Sequence, residues 1–197
     1  MTTETHAIET SIQGRFARLA GDPASERTFP VGPESAKRLG YDAAEVDGLP
    51  AVVKESFAGV GNPLRLGELR NGQRVLDLGC GAGFDSILAA RRVAPAGKVT
   101  GVDFTPAMIE KARANVRLLT MDNAEFCVGR ADDIPVPTAS VDVLITNGVL
   151  NLCVEKQRVA EEMFRVLKPG GSLRLADILL EPHVTPQEVA AKGEWSD

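Results

Sequence analysis

The stretch "VLDLGCGAGFDS", residues 75–86, decides how the chain folds. "VLDL" is an apolar run of strand length, and "FDSILAARRV" after it carries a helical pattern. Between them Gly79, Gly81 and Gly83 stand at every second position. Glycines there permit a tight turn and let the backbone, with a helix N-terminus behind it, come close to a ligand. A glycine-rich turn can also be a mere connection, so the flanking residues matter. The spacing is GxGxG and not the GxGxxG of dinucleotide sites. Asp77, two residues before the first glycine, suits a cationic ligand group and repels a pyrophosphate.

Outward from this stretch the pattern repeats. "GKVTGVDF" (97–104), "AEFCVGR" (124–130), "VDVLITN" (141–147) and "SLRLADILL" (172–180) read as four further strands. "TPAMIEKARANVRLL" (105–119) reads as a helix with Thr105 as N-cap, Pro106 at its first position, and Ile109, Ala112, Val116 and Leu119 on one face. "EKQRVAEEMFRVL" (155–167) is a second helix, stopped by Pro169-Gly170-Gly171. Strands alternating with helices predict a Rossmann-like, doubly wound parallel α/β sheet. Right-handed crossovers then bring every strand's C-terminal end to one edge, where ligands bind.

Before residue 72 glycine, proline and acids are dense, and no sheet is expected. A helix over 5–20 has Ile8, Ile12, Phe16 and Leu19 at helical spacing, and a shorter one begins at Leu49-Pro50. Residues 1–71 are therefore read as an N-terminal helical cap and 72–197 as the core.

Composition narrows the function. The chain has 197 residues, 44% hydrophobic and 25% charged, enough for one domain with a proper core. Its 22 basic against 27 acidic side chains give a net charge of −5, which argues against a nucleic-acid surface. Cys80, Cys127 and Cys153 are odd in number and lack paired-ligand spacing, so neither a metal site nor a disulfide framework is expected. A reducing, cytoplasmic setting follows, since "MTTETHAIETSIQGR" has no signal-like apolar region and no stretch is long enough to span a bilayer. His6 and His183 lie in peripheral segments and are not expected to act as bases.

Asp103, twenty residues past Gly83, can accept from both hydroxyls of a ribose, or it can cap the helix that follows. Asp132 and Asp133 end the third strand on the same edge, placed either for an exocyclic adenine amine or as a solvated pair. Asn147 and Asn151 flank the apolar step in "TNGVLNLC" (146–153) and are expected to face the site and not the core.

"VLDLGCGAG", "GVDFTPAMIEKAR", "SVDVLITNGVLNL" and "EMFRVLKPGGSLRLAD" together resemble the successive motifs of class I S-adenosylmethionine (SAM)-dependent methyltransferases, over roughly residues 50–180. "SFAGVGNP" and "TNGVLNL" resemble the arsenite methyltransferase branch more than the ubiquinone/menaquinone branch. The resemblance implies strand order 3-2-1-4-5, SAM as cofactor with S-adenosylhomocysteine as product, and a small-molecule acceptor. It places the methionine part on Asp77 and the loop of Gly79, Cys80, Gly81 and Gly83, and the ribose on Asp103. Phe104 and Met108 would flank the adenine, and Ala131 and Asp132 would meet its edge. Asn147 would lie beneath the methionyl segment, with Cys153 near the acceptor mouth as the other catalytic candidate.

The same resemblance implies three thiolates around trivalent arsenic, a soft centre for soft ligands. Val60 and Gly148 stand at two of those positions, and the third is expected downstream of the fifth strand. The sequence ends shortly after "TPQEVAAKGEWSD" begins a helix, so the terminal antiparallel strands of this fold are absent from it, and a frame cut at a selenocysteine codon after Asp197 is one expectation. An exposed fifth strand would invite pairing with a second copy. Two alternatives stay open: a SAM-binding fragment without turnover, and a C- or O-methyltransferase of a quinone or lipid.

Overall fold

The computed structural model describes residues 3–179. Four helices precede the sheet: α1 (Thr3–Gly21), α2 (Pro33–Arg38), α3 (Ala43–Asp47) and α4 (Ala51–Lys54). Then come β1 (Arg74–Leu78), α5 (Phe84–Val93), β2 (Lys98–Asp103), α6 (Pro106–Leu118), β3 (Ala124–Val128), β4 (Val141–Asn147), α7 (Lys156–Val166) and β5 (Leu167–Ala176). The five strands form one parallel sheet in the order β3-β2-β1-β4-β5, the order expected.

Position in the sheet explains strand composition. β1 and β4 lie inside it, and their residues are buried almost without interruption. A parallel strand covered on both faces reads as continuous apolar sequence, which "VLDL" and "VDVLIT" do. β3 and β5 lie at the edges and alternate with exposed positions. β5 also begins irregularly: Val141 faces Leu167 while Val143 faces Ser172, so the Pro169-Gly170-Gly171 turn loops out of the ladder.

α5 is buried on nearly every side, from Phe84 through Val93. The sheet covers one side of it, and the segment from Ala36 to Leu69 covers the other. Tyr41, Val46, Leu49, Val53, Phe57 and Leu64 share one apolar cluster with Ile87, Leu88, Val99 and Ile145. Full burial of each such aliphatic side chain contributes about 1.5–3 kcal/mol. The boundary near residue 72 thus separates helices from sheet, but the hydrophobic core runs across it.

A smaller cluster lies on the other face, where Leu76, Leu78, Val102 and Leu144 meet Val159, Met163 and Val166 of α7. The connection 129–140 is held there by buried Glu162, which accepts from the Ile134 N–H at 2.9 Å and from Arg165 at 2.7 Å. β5 is paired on one side only among the described residues, with Leu173 exposed. The expected helix after residue 184, His183 and Trp195 lie outside the described residues.

Candidate cofactor site

A cavity of about 590 Å³ opens at the C-terminal edge of the sheet. Its floor is the ends of β1, β2 and β4, through Asp77, Asp103 and Asn147, and its walls are the loops that follow. Thr5, Glu9, Ile12 and Phe16 of α1 line it from the N-terminal side. The apolar stripe of that first helix therefore serves the cavity as well as the core.

The loop after β1 is shaped by its glycines. Gly79, Gly81 and Gly83 all have positive φ, at +73°, +52° and +87°. A Cβ on Gly79 would lie 2.1 Å from Val149 Cγ2, so a side chain there would collide with the loop after β4. Asp103 fastens this loop to the next one. Its Oδ2 accepts from the Gly81 N–H at 2.9 Å and its Oδ1 from the Thr105 N–H at 2.8 Å. It therefore turns the chain into α6 and also lines the cavity. Each carboxylate oxygen carries a second lone pair, which leaves capacity to accept from a pair of hydroxyls.

Asn147 is the busiest polar group. Its Oδ1 accepts from the N–H groups of Val60 and Gly61, at 2.9 and 3.1 Å. Its Nδ2 lies within donating distance of Gly61 O, Asp85 Oδ2 and Tyr41 OH, at 3.0, 3.0 and 3.2 Å. Tyr41 in turn donates to the other oxygen of Asp85. The chain passes so close over this amide that a Cβ on Gly59 would lie 2.3 Å from Asn147 Nδ2. Asn147 thus lines the cavity while bracing residues 59–61 onto the end of β4. Asn151 departs from the expectation. It is absent from the cavity wall, and its backbone N–H donates to Asp177 Oδ1 at 3.2 Å in a short 3-10 turn.

Charge in the cavity is one-sided. Among the described residues Glu9, Asp77, Asp85, Asp103, Asp132 and Glu155 line it, against the one cation Arg130. Arg130 already grips Glu9 at 2.7 Å and Asp132 at 2.8 Å, joining α1 to the loop after β3. Asp77 is 2% exposed and takes a hydrogen bond from the Ser86 hydroxyl. Burial, then the neighbouring Asp85 charge, pushes the Asp77 carboxyl well above its usual range. Burial also raises Asp85, against the opposing hydrogen bonds from Tyr41 and Asn147. Asp103 is raised by burial too.

The other expected residues also reach this place. Cys80, Phe104, Met108, Ala131 and Cys153 line the cavity. Met108 is buried beside Leu19 and Ala82, so its bulk also serves the core. Burial raises the Cys80 thiol and pushes Cys153 up to about 11, so both are held as neutral thiols near pH 7. Cys127 sits in β3 and packs against the second cluster. Val60 and Gly148 adjoin: a Cβ on Gly148 would lie 3.2 Å from Val60 Cγ1. Asp85, Tyr41, Glu9 and Arg130 were not legible as site residues. Asp85 follows Gly83 by two positions inside an apolar helix pattern, and that misplaced acid was the one available signal.

A cavity over the switch between β2-β1 and β4, with a left-handed glycine loop and a carboxylate at the end of β2, defines a doubly wound α/β protein with its cavity where such sheets bind ligands. Residues 69–195 match the family model described as a methyltransferase domain, and the chain belongs to that family. Over 159 residues it is 46% identical to an arsenite methyltransferase of Halobacterium salinarum, covering 81% of this chain and 40% of that protein. It is 36% identical over 114 residues to a demethylmenaquinone methyltransferase of Listeria welshimeri, covering 58% of this chain and 48% of the other. Among solved structures, an arsenic(III) S-adenosylmethionine methyltransferase from Chlamydomonas reinhardtii is similar at 36% identity and a TM-score of 0.62, covering 76% of this chain and 50% of that one. The chain thus spans about half the length, or less, of these relatives.

Proposed function

We propose that this cavity binds SAM and that the chain carries the cofactor-binding core of a SAM-dependent methyltransferase acting on a small molecule. The observation that supports this most is the stitching of the glycine loop to β2 by Asp103, at the edge of a cavity whose charged side chains are mostly carboxylic acids. A cofactor with a sulfonium and an ammonium group meets carboxylates there, and its ribose meets Asp103. Cavity volume and chemistry both fit the group.

SAM supplies an already activated methyl group. The protein's part is to orient the acceptor and exclude water. In this reading α1 closes the nucleoside side through Ile12 and Phe16, the Gly79–Gly83 backbone holds the amino-acid end, and Phe104, Met108, Ala131 and Asp132 surround the base. The neutral thiols of Cys80 and Cys153 leave no pre-formed thiolate beside the transfer point.

Calorimetry with SAM and S-adenosylhomocysteine tests the reading. Wild type should bind both, and Asp103→Ala should weaken SAM by roughly tenfold or more, since the carboxylate holds both the loop and the ribose. Equal affinity in the variant removes the ribose assignment.

For the acceptor, the similarity to arsenite methyltransferases supports arsenite-like substrates. A quinol or another carbon or oxygen acceptor has its own support. The adjoining positions 60 and 148, where the resemblance calls for two thiols, hold a valine and a glycine, which offer arsenic no ligand. A screen with labelled SAM against arsenite, thiols, quinols and sterols separates these. Turnover on any of them excludes a binding-only fragment.

A further inference from the structure

We propose that Asp85, held in place by Tyr41 and Asn147, is the carboxylate that reads positive charge in the ligand and makes the cavity selective for charged over neutral thioether nucleosides. The proposal rests on the cofactor reading above and adds a residue and a specificity to it.

Asp85 is 7% exposed and lines the cavity from the first turn of α5. Both its oxygens are held by neutral donors, the Tyr41 hydroxyl and the Asn147 amide. Asp77 lies behind it on β1, bonded to Ser86. No cationic side chain forms an ion pair with Asp77, Asp85 or Asp103 among the described residues. Arg92, on the same helix, is bonded to Glu45 at 2.8 Å. At the rim, Arg130 is bonded to Glu9 and Asp132. Buried carboxylates normally sit beside a buried cation, because an uncompensated ion in low dielectric is strongly disfavoured. Here the protein supplies hydrogen bonds and no directly paired cation, Arg92 acting on Asp85 only through space, and the opening that remains is the ligand cavity. A positive ligand group completes the arrangement and favours ionisation of the carboxyl pair, which burial holds toward the protonated form.

The donors also give the N-terminal segment a role beyond packing. Tyr41 reaches Asp85 from between α2 and α3. Tyr41 and Asn147 are therefore positioning residues, and the segment before the sheet sets the orientation of a ligand-facing group.

Calorimetry on the full chain with SAM and with 5′-methylthioadenosine makes the test, since the second ligand keeps the nucleoside thioether and lacks both positive groups. Asp85→Asn should weaken SAM by roughly tenfold or more and change methylthioadenosine by less than about threefold. Tyr41→Phe should lower SAM affinity less and move its pH dependence upward, because Asp85 loses a donor that favours its ionised form. Wild type should release protons on binding SAM and none on binding methylthioadenosine, a readout that does not depend on any variant folding. Equal weakening of both ligands in Asp85→Asn, or no difference in proton release between them, overturns the proposal while leaving the cofactor reading intact. If wild type binds neither ligand, the cofactor reading fails and takes this proposal with it.

Discussion

The N-terminal segment grips the sheet in two ways that differ in kind. On α1 and just past the end of α4 the contacts are part-exposed ion pairs: Arg130 with Glu9 and Lys111 with Glu55. At the end of β4 they are part-buried and mostly neutral, with Asn147 binding Val60, Gly61, Tyr41 and Asp85 together. The first kind gains little, since solvent and salt already screen the charges. The second is high in stakes, because each broken partner leaves a polar group stranded away from water. The two kinds of contact therefore make a strong junction at Asn147 and a looser seam along α1.

Asn147→Ala should expose the difference most. It strands the N–H groups of Val60 and Gly61 and the Gly61 carbonyl, takes one donor from Asp85, and should lower stability by about 3 kcal/mol or more in urea unfolding. A loss near that of a surface mutant would erase the contrast. Gly59→Ala comes next, at about 2 kcal/mol, because its methyl group must displace the Asn147 amide or the Phe57 ring. Thermal melts of the two variants, alone and combined, should show non-additive losses, since they damage the same junction.

Tyr41→Phe removes one hydrogen bond to Asp85 and should cost about 1–2 kcal/mol. Glu9→Gln is the smallest, at under about 1 kcal/mol, and the effect should fade in 1 M salt. A salt-insensitive loss larger than that of Tyr41→Phe would reverse the ranking of the two contacts.

The pH dependence sharpens the same comparison. Asp77 and Asp85 are raised above their ordinary 3.8 by burial, so the folded state keeps protons that the unfolded chain has released. Their contribution to stability is present at low pH and lost as pH rises from about 4 through the folded values. Glu162 and Asp132, lowered mainly by Arg165 and Arg130, act oppositely: their contribution is present above the ordinary carboxylate range and lost as pH falls. Asp85→Asn should therefore flatten the decline of ligand-free stability above pH 4 and leave the acid limb unchanged. Melting curves across pH check both limbs.

Much of the fold was legible because local signals agreed. The three glycines, the Thr105-Pro106 helix start and the Pro169-Gly170-Gly171 stop each occur where the structure uses them. Apolar runs marked β1 and β4 as strands, and their place inside the sheet came from the family resemblance. The ligand-facing edge was legible too, since parallel strands must end together. The junction with the N-terminal segment was not. Tyr41 and Asn147 are 106 residues apart, and nothing in the local pattern of either names the other. Asn151 was misread for a related reason. Its sequence neighbourhood resembles that of Asn147, but a 3-10 turn tied to Asp177 carries it away from the cavity.

The sequence by itself determined the strand–glycine–helix opening, the alternation that makes the sheet parallel, and the carboxylates at its ligand-facing edge. These follow from the backbone freedom of glycine, from helix caps and from hydrophobic periodicity, all readable within a dozen residues. The tertiary structure alone decided which carboxylates form no ion pair among the described residues and which amide binds four partners. Desolvation and hydrogen-bond satisfaction depend on everything that packs around a group, and for Asp85 and Asn147 that surrounding comes from the other end of the chain.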